Sequence, residues 1–185
     1  MGRLGQGMAD RGVTVVTFNF LYIEAKRRVP DPGPVLEDAF GAVWSDVAAG
    51  GTPRMFAGGK SMGGRISSQA TAAGTLSPAP AGLVFFGYPL HPPGKPGQRR
   101  DKHLPAVQPP MLFLHGTRDP FGSPDEMRAL AGSLPRATLH LVEEGDHSLA
   151  VPKRRDPKGH SLDAAMDVAA AWILRVELSR HIIRR

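Results

Sequence analysis

The sequence predicts an α/β fold, a mostly parallel sheet flanked by helices, and two observations carry the prediction. Five short apolar runs, at residues 13–20, 54–58, 82–88, 111–116 and 137–143, alternate with stretches of helical character. Most of these runs are nearly continuous in Val, Leu, Phe and Met, which is the pattern of strands buried on both faces of a covered parallel sheet. Strands that alternate with helices imply right-handed crossovers between parallel neighbours.

The helical stretches follow in order. Pro34 can open a helix in which Leu36, Phe40, Val43 and Val47 recur at helical spacing. Residues 62–73 are small and helix-compatible. Ser123 and Pro124 read as a cap and a first helical position ahead of Met127, Leu130 and Leu134. Ser161 can cap a last helix with Leu162, Met166, Ala169, Ile173 and Val176 on one face. Residues 91–110 are rich in proline, glycine and charge and read as a surface excursion. With no internal repeat, residues 1–185 are expected to form one domain.

Composition narrows the function classes. A chain of 185 residues that is 41% hydrophobic and 22% charged can bury a core and is not a disordered segment. It has no cysteine, which excludes disulfides, thiolate metal sites and cysteine nucleophiles. The longest apolar stretch, residues 13–23, is interrupted by Asn19 and two threonines, too short and polar for a membrane span. The region before it lacks signal-peptide form, so a cytoplasmic location is expected. The net charge of +6 is scattered over Arg27 and Arg28, Arg99 and Arg100, and residues 153–155 and 180–185. No basic helix interleaved with aromatics appears, so this reads as solvated surface rather than a nucleic-acid interface. No metal-ligand spacing such as H-E-x-x-H occurs, and no metal or cofactor is expected.

Gly59-Lys60-Ser61-Met62-Gly63 matches G-x-S-x-G, a common pattern in isolation. Its context is more specific: the apolar run Met55-Phe56-Ala57 leads into it and a small-residue helix follows. A serine on such a sharp turn is held out above the sheet, flanking glycines remove side chains that would clash, and the Met62 NH faces a developing oxyanion. A serine hydroxyl also needs a base, and the base an orienting carboxylate. Asp119, after the run 111–116, and His147, after the run 137–143, supply them in the order Ser, Asp, His. All three then lie at the carboxyl ends of separate parallel strands, on the sheet edge where open α/β folds place their sites. Asp146 is adjacent to His147 and badly placed to orient its ring, Asp125 falls in the next helix, and His115 reads as structural. A phosphate-binding loop would need glycine where Arg54 stands, which argues against nucleotide binding.

Phe18 to Glu24 (FNFLYIE), GGKSMGGR from Gly58 to Arg65, Gly87-Tyr88-Pro89-Leu90-His91, HGTRD and GDHS together resemble one family. It is the group of small α/β hydrolases that includes the testis-expressed Tex-type proteins and a chromatin-complex subunit, related to dienelactone hydrolases. The resemblance covers nearly the whole chain. It implies the Ser61, His147, Asp119 triad, with Tyr88, Leu90 and His91 near the mouth of a substrate pocket. It also implies a His-Gly-x-Gly turn, absent here, ahead of a helix that begins near Met1; that turn supplies a second oxyanion NH. The expected consequences are an incomplete or rearranged sheet, no direct pairing between residues 13–20 and 54–58, and a start upstream of Met1. Loss of one oxyanion donor costs roughly 10²- to 10³-fold in rate, so weak activity is expected of this chain. The expected function is hydrolysis of a small acyl substrate, an ester, thioester or lactone. The alternative is a non-catalytic interaction module on the same fold.

Overall fold

A computed structural model describes residues 2–51 and 54–182; the side chains of residues 180–182 are not described. Met1 and the basic residues Arg184 and Arg185 lie outside the described part. Four strands form one sheet: β1 (Phe56–Lys60), β2 (Gly82–Phe86), β3 (Met111–Gly116) and β4 (Ala137–Val142), in the order β1-β2-β3-β4. All three pairings are parallel. The described helices are α1 (Gly2–Ala9), α2 (Leu21–Glu24), α3 (Gly33–Ala49), α4 (Met62–Ala72), α5 (Pro124–Ser133) and α6 (Ser161–Ile182).

The continuous apolar runs are explained by burial on both faces. On one face Leu83, Phe85, Met111 and Phe113 pack with Leu36, Phe40 and Trp44 of α3, Ile66 of α4 and Met127 of α5. On the other, Val84, Phe86, Leu112 and Leu114 meet Met8 of α1 and Ala165, Met166, Ala169 and Trp172 of α6. Phe85 and Phe113 pack with ring centroids 4.8 Å apart, and Tyr88 meets Phe85 edge to face. Arg11 fastens α1 to α6: its Nε lies 2.6 Å from Asp167 Oδ1 and its guanidinium donates to the Asp163 carbonyl at 3.0 Å. The cap expected at α5 is present as a full capping box. The Ser123 hydroxyl accepts from the Glu126 NH while the Glu126 carboxylate accepts from the Ser123 NH. No described helix is long and apolar enough to cross a membrane.

Two expectations are corrected. Residues 13–20 form no strand: they join no ladder, and Val15 and Val16 are exposed. A strand exists only where a neighbour takes its amides and carbonyls, and β1, at the edge of the described sheet, pairs only with β2. The stretch 91–110 is also more than a surface excursion. A 3₁₀ turn, Leu104–Ala106, buries Leu104 and Val107 in the core, and His103 Nε2 meets the buried Ser68 Oγ of α4 at 2.7 Å.

The central strands carry the stability. Phe113→Ala removes a fully buried ring and is expected to destabilise the fold by about 3–5 kcal/mol, whereas Val16→Ser on the exposed segment changes it by under about 0.5 kcal/mol. Urea denaturation of the two variants measures the difference.

Candidate active site

The turn after β1 holds Ser61 at φ 51°, ψ −118°, in the left-handed half of backbone space that a side chain adopts only under constraint. The Ser61 NH donates to the Phe86 carbonyl at the end of β2, and its own carbonyl accepts from the Arg65 NH. The turn is thus tied to the sheet on one side and to α4 on the other. Of the two motif glycines, Gly59, at φ 149°, gives clearance, since a Cβ there would stand 3.3 Å from the Gly63 carbonyl carbon, and a glycine just outside the motif adds to it. A Cβ on Gly64 would stand 2.9 Å from the Gly59 carbonyl oxygen and 3.0 Å from the Phe85 ring, whereas one on Gly63 would meet nothing within 4 Å. Met62 is the first residue of α4, and its NH is among those a helix leaves without an internal acceptor.

Two loops bring the other predicted residues to Ser61. The loop after β3 carries Asp119, and the loop after β4 carries His147. They are joined by hydrogen bonds from the Thr117 NH to the Val142 carbonyl, the Arg118 NH to the Gly145 carbonyl and the Glu144 NH to Thr117 Oγ1. Asp146 shapes the turn around His147 by accepting from the Ser148 and Ala150 amides. The result is a continuous row. Ser61 Oγ lies 2.8 Å from His147 Nε2, and His147 Nδ1 lies 2.8 Å from Asp119 Oδ2. A carboxylate only accepts, so Nδ1–H donates to Asp119 and Nε2 is left to accept the serine proton. The Asp119 side chain has no solvent exposure, and its Oδ1 accepts from the Phe121 NH at 2.9 Å.

Three supporting groups surround the row; Gly87 and His115 open the segments GYPLH and HGTRD, whereas Phe121 lies outside every motif. Phe121 stacks on the His147 ring, centroids 4.2 Å apart, and restricts its rotation. Gly87, at φ 68°, lets the chain pass beneath His147; a Cβ there would stand 2.6 Å from the His147 carbonyl oxygen and 3.3 Å from its Nδ1. His115 is fully buried under Asp119. Its Nε2–H donates to the Gly122 carbonyl at 2.8 Å, and its Nδ1, with no hydrogen-bond partner, faces Asp119 Oδ2 at 3.6 Å. Burial holds its pKa below the ordinary imidazole value, and burial does the same for His103.

Tyr88, Leu90 and His91 do not stand at an open mouth. Tyr88 and Leu90 are packed in the core, the Tyr88 hydroxyl donates to the Arg100 carbonyl, and burial pushes its pKa up. His91 is buried between the Pro92 carbonyl and the Glu126 carboxylate. Leu90 and Tyr88 are apolar or aromatic residues beside a hydrophobic sheet, so burial outweighs exposure. The cleft that does reach His147 is lined instead by Arg3, Lys60, Ser148 and Leu149, among others. Among the described residues, no group of three or more His, Asp or Glu side chains is arranged to hold a metal ion.

A parallel sheet with a strained serine after β1 and an Asp and a His after β3 and β4 is the arrangement of the α/β hydrolases. A family model described as an alpha/beta hydrolase domain matches residues 1–175, and the chain belongs to that family. Solved structures share the fold. The esterase domain of a Rhodothermus marinus protein superposes with a TM-score of 0.68 at 14% identity, over 94% of this chain and 79% of that one. An α/β serine hydrolase homologue from Coxiella burnetii gives 0.67 at 16% identity, over 89% and 73%. An α/β serine hydrolase without a lid, from Xanthomonas campestris, gives 0.66 at 24% identity, over 89% and 70%.

Two predictions test this geometry. Gly87→Ala forces a Cβ against the His147 backbone and is expected to destabilise the fold by about 1–3 kcal/mol and to shift the His147 ring resonances. Unchanged resonances would contradict the packing. The second concerns pH. An imidazole held below its ordinary pKa takes up protons when the chain unfolds, so stability rises with pH across that interval and falls as pH drops below about 6.5. His115→Gln, which keeps a donor for the Gly122 carbonyl, is expected to lessen that fall. Urea midpoints at about pH 7.5 and about pH 5.5 give the comparison.

Proposed function

We propose that this chain is a serine hydrolase that cleaves carboxylic esters, thioesters or lactones through an acyl-enzyme. The observation that carries the proposal is the row of 2.8 Å contacts from Ser61 Oγ through the His147 ring to the buried Asp119 carboxylate. In this reading Ser61 Oγ attacks the substrate carbonyl as its proton passes to His147 Nε2. Asp119 fixes the tautomer and offsets the imidazolium charge. The Met62 NH and the amino end of α4 face the oxyanion of the tetrahedral intermediate. The intermediate collapses, the C–O or C–S bond breaks, and the leaving group takes the proton from His147. Water then gives a proton to His147 and attacks the Ser61 ester, releasing the acid and restoring the hydroxyl. The finer resemblance, to the small Tex-type hydrolases, rests on GGKSMGGR and GYPLHPP.

A second serine–histidine pair, Ser68 and His103, has a different character. Ser68 is fully buried, its hydroxyl donates to the Arg65 carbonyl, and no described carboxylate pairs with His103. That pair holds residues 91–110 against α4.

Hydrolysis of p-nitrophenyl acetate tests the reading. Ser61→Ala and His147→Ala are each expected to lower kcat by roughly 10³-fold or more, and the double variant to lose little further, because the two act as a unit. Asp119→Asn is expected to cost roughly 10²- to 10⁴-fold by stabilising the wrong tautomer. Hydrolysis that is absent from the parent chain, or that survives in Ser61→Ala, would overturn the proposal, and absence would favour an interaction module on the same fold.

A further inference from the structure

The motif around Ser61 carries a residue that the proposed chemistry leaves unused. Lys60 directly precedes the nucleophile, and its Nζ donates to Ser148 Oγ at 2.7 Å. Ser148 directly follows His147. The contact therefore bridges the same two turns as the Ser61–His147 hydrogen bond, one residue away on each. Among the described residues, Lys60 has no carboxylate within ion-pair range. Arg3 meets Asp163 at 3.7 Å, and Arg99 is paired with Asp101.

Lys60 opens onto the cleft that reaches His147. Its lining combines the polar residues Arg3, Lys60, His147 and Ser148 with apolar ones, of which Leu162 is partly exposed. Among the described residues, no aspartate or glutamate lines it. An ammonium group held in place by a neutral hydroxyl keeps its full charge and two further N–H donors for a ligand. Arg3, two-thirds exposed, stands on the same rim with its charge partly offset by Asp163, so Lys60 is the cation free for a ligand. Charge of one sign concentrated in a cleft with apolar walls draws in small anions of opposite sign.

We propose that this cleft is a subsite for an oxyanion group, a carboxylate or a phosphate, carried on a short aliphatic stem by the molecule whose acyl bond reaches Ser61. The proposal rests on the hydrolase reading and deepens it by naming the substrate class: anionic esters, thioesters or lactones rather than neutral ones. Lys60 is the specificity-determining residue, Ser148 positions its ammonium, and the partly exposed Leu162 takes the stem.

The test has a binding arm that needs no turnover. Glutarate, inorganic phosphate and the neutral glutaramide are titrated against the chain while the His147 ring resonances are followed. The expected result is a saturable shift with at least one anion, no shift with glutaramide, about tenfold weaker binding in Lys60→Met, and recovery of most of it in Lys60→Arg. Tighter binding of glutarate or of phosphate decides between the two anions. A second arm compares kcat/KM for p-nitrophenyl hemiglutarate and p-nitrophenyl pentanoate. The ratio is expected to favour the anionic ester by about tenfold and to fall toward one in Lys60→Met. Binding that Lys60→Met leaves unchanged, no shift with either anion, or the same ester ratio in both proteins would overturn the subsite. Absence of hydrolysis with Lys60-dependent anion binding intact would overturn the hydrolase reading alone.

Discussion

Parallel pairing of β1, β2, β3 and β4 is the constraint from which the rest of the structure follows. Parallel strands in one sheet end at one rim, so the turns after β1, β3 and β4 are brought together by the hydrogen-bond ladder before any side chain is considered. Covering both faces with helices makes such a sheet stable and also makes its interior dry. Asp119 depends on that dryness. A carboxylate without solvent exposure must be answered by donors, and the Phe121 NH and His147 Nδ1–H are those donors. The imidazole is in turn held by Phe121 above and by the empty side of Gly87 below. Backbone geometry places Ser61, and burial fixes the two residues in line with it.

The sequence made much of this legible because the informative patterns are local. Residues 111–116 coincide with β3, and residues 82–88 and 137–143 overrun β2 and β4 by one or two positions, where side chains turn from core to rim. Ser123, Pro124 and Glu126 spell out a cap that depends on four residues alone. Residues 13–20 show the limit. Their composition suits a strand, but pairing is a property of two chains of backbone, and no described strand lies where it could take their amides.

The candidate site divides in the same way. Ser61, Asp119 and His147 were legible from motif, order and strand ends, and the structure brings all three into contact. Phe121 was not, and Gly87 and Gly64, although they stand in GYPLH and GGKSMGGR, showed no role there, because their importance lies in what they touch in the folded chain. Gly87 did leave a trace, as a glycine near the end of the apolar run 82–88, where a turn or a close approach is the ordinary explanation. Tyr88, Leu90 and His91 were placed at the pocket mouth by resemblance and lie inward instead, while Lys60, an unremarked position in G-x-S-x-G, faces the cleft. A motif names which residues matter to the backbone; only packing decides which side chain meets the ligand.

The central claim, that Ser61 is an activated nucleophile, is tested most directly by mass spectrometry after treatment with a fluorophosphonate. Cleavage after Lys60 and Arg65 isolates the Ser61 peptide as Ser-Met-Gly-Gly-Arg. The account predicts a single adduct on that peptide, formed by the folded chain and absent after denaturation. An adduct on Ser68 or elsewhere, or none on folded protein, would contradict it.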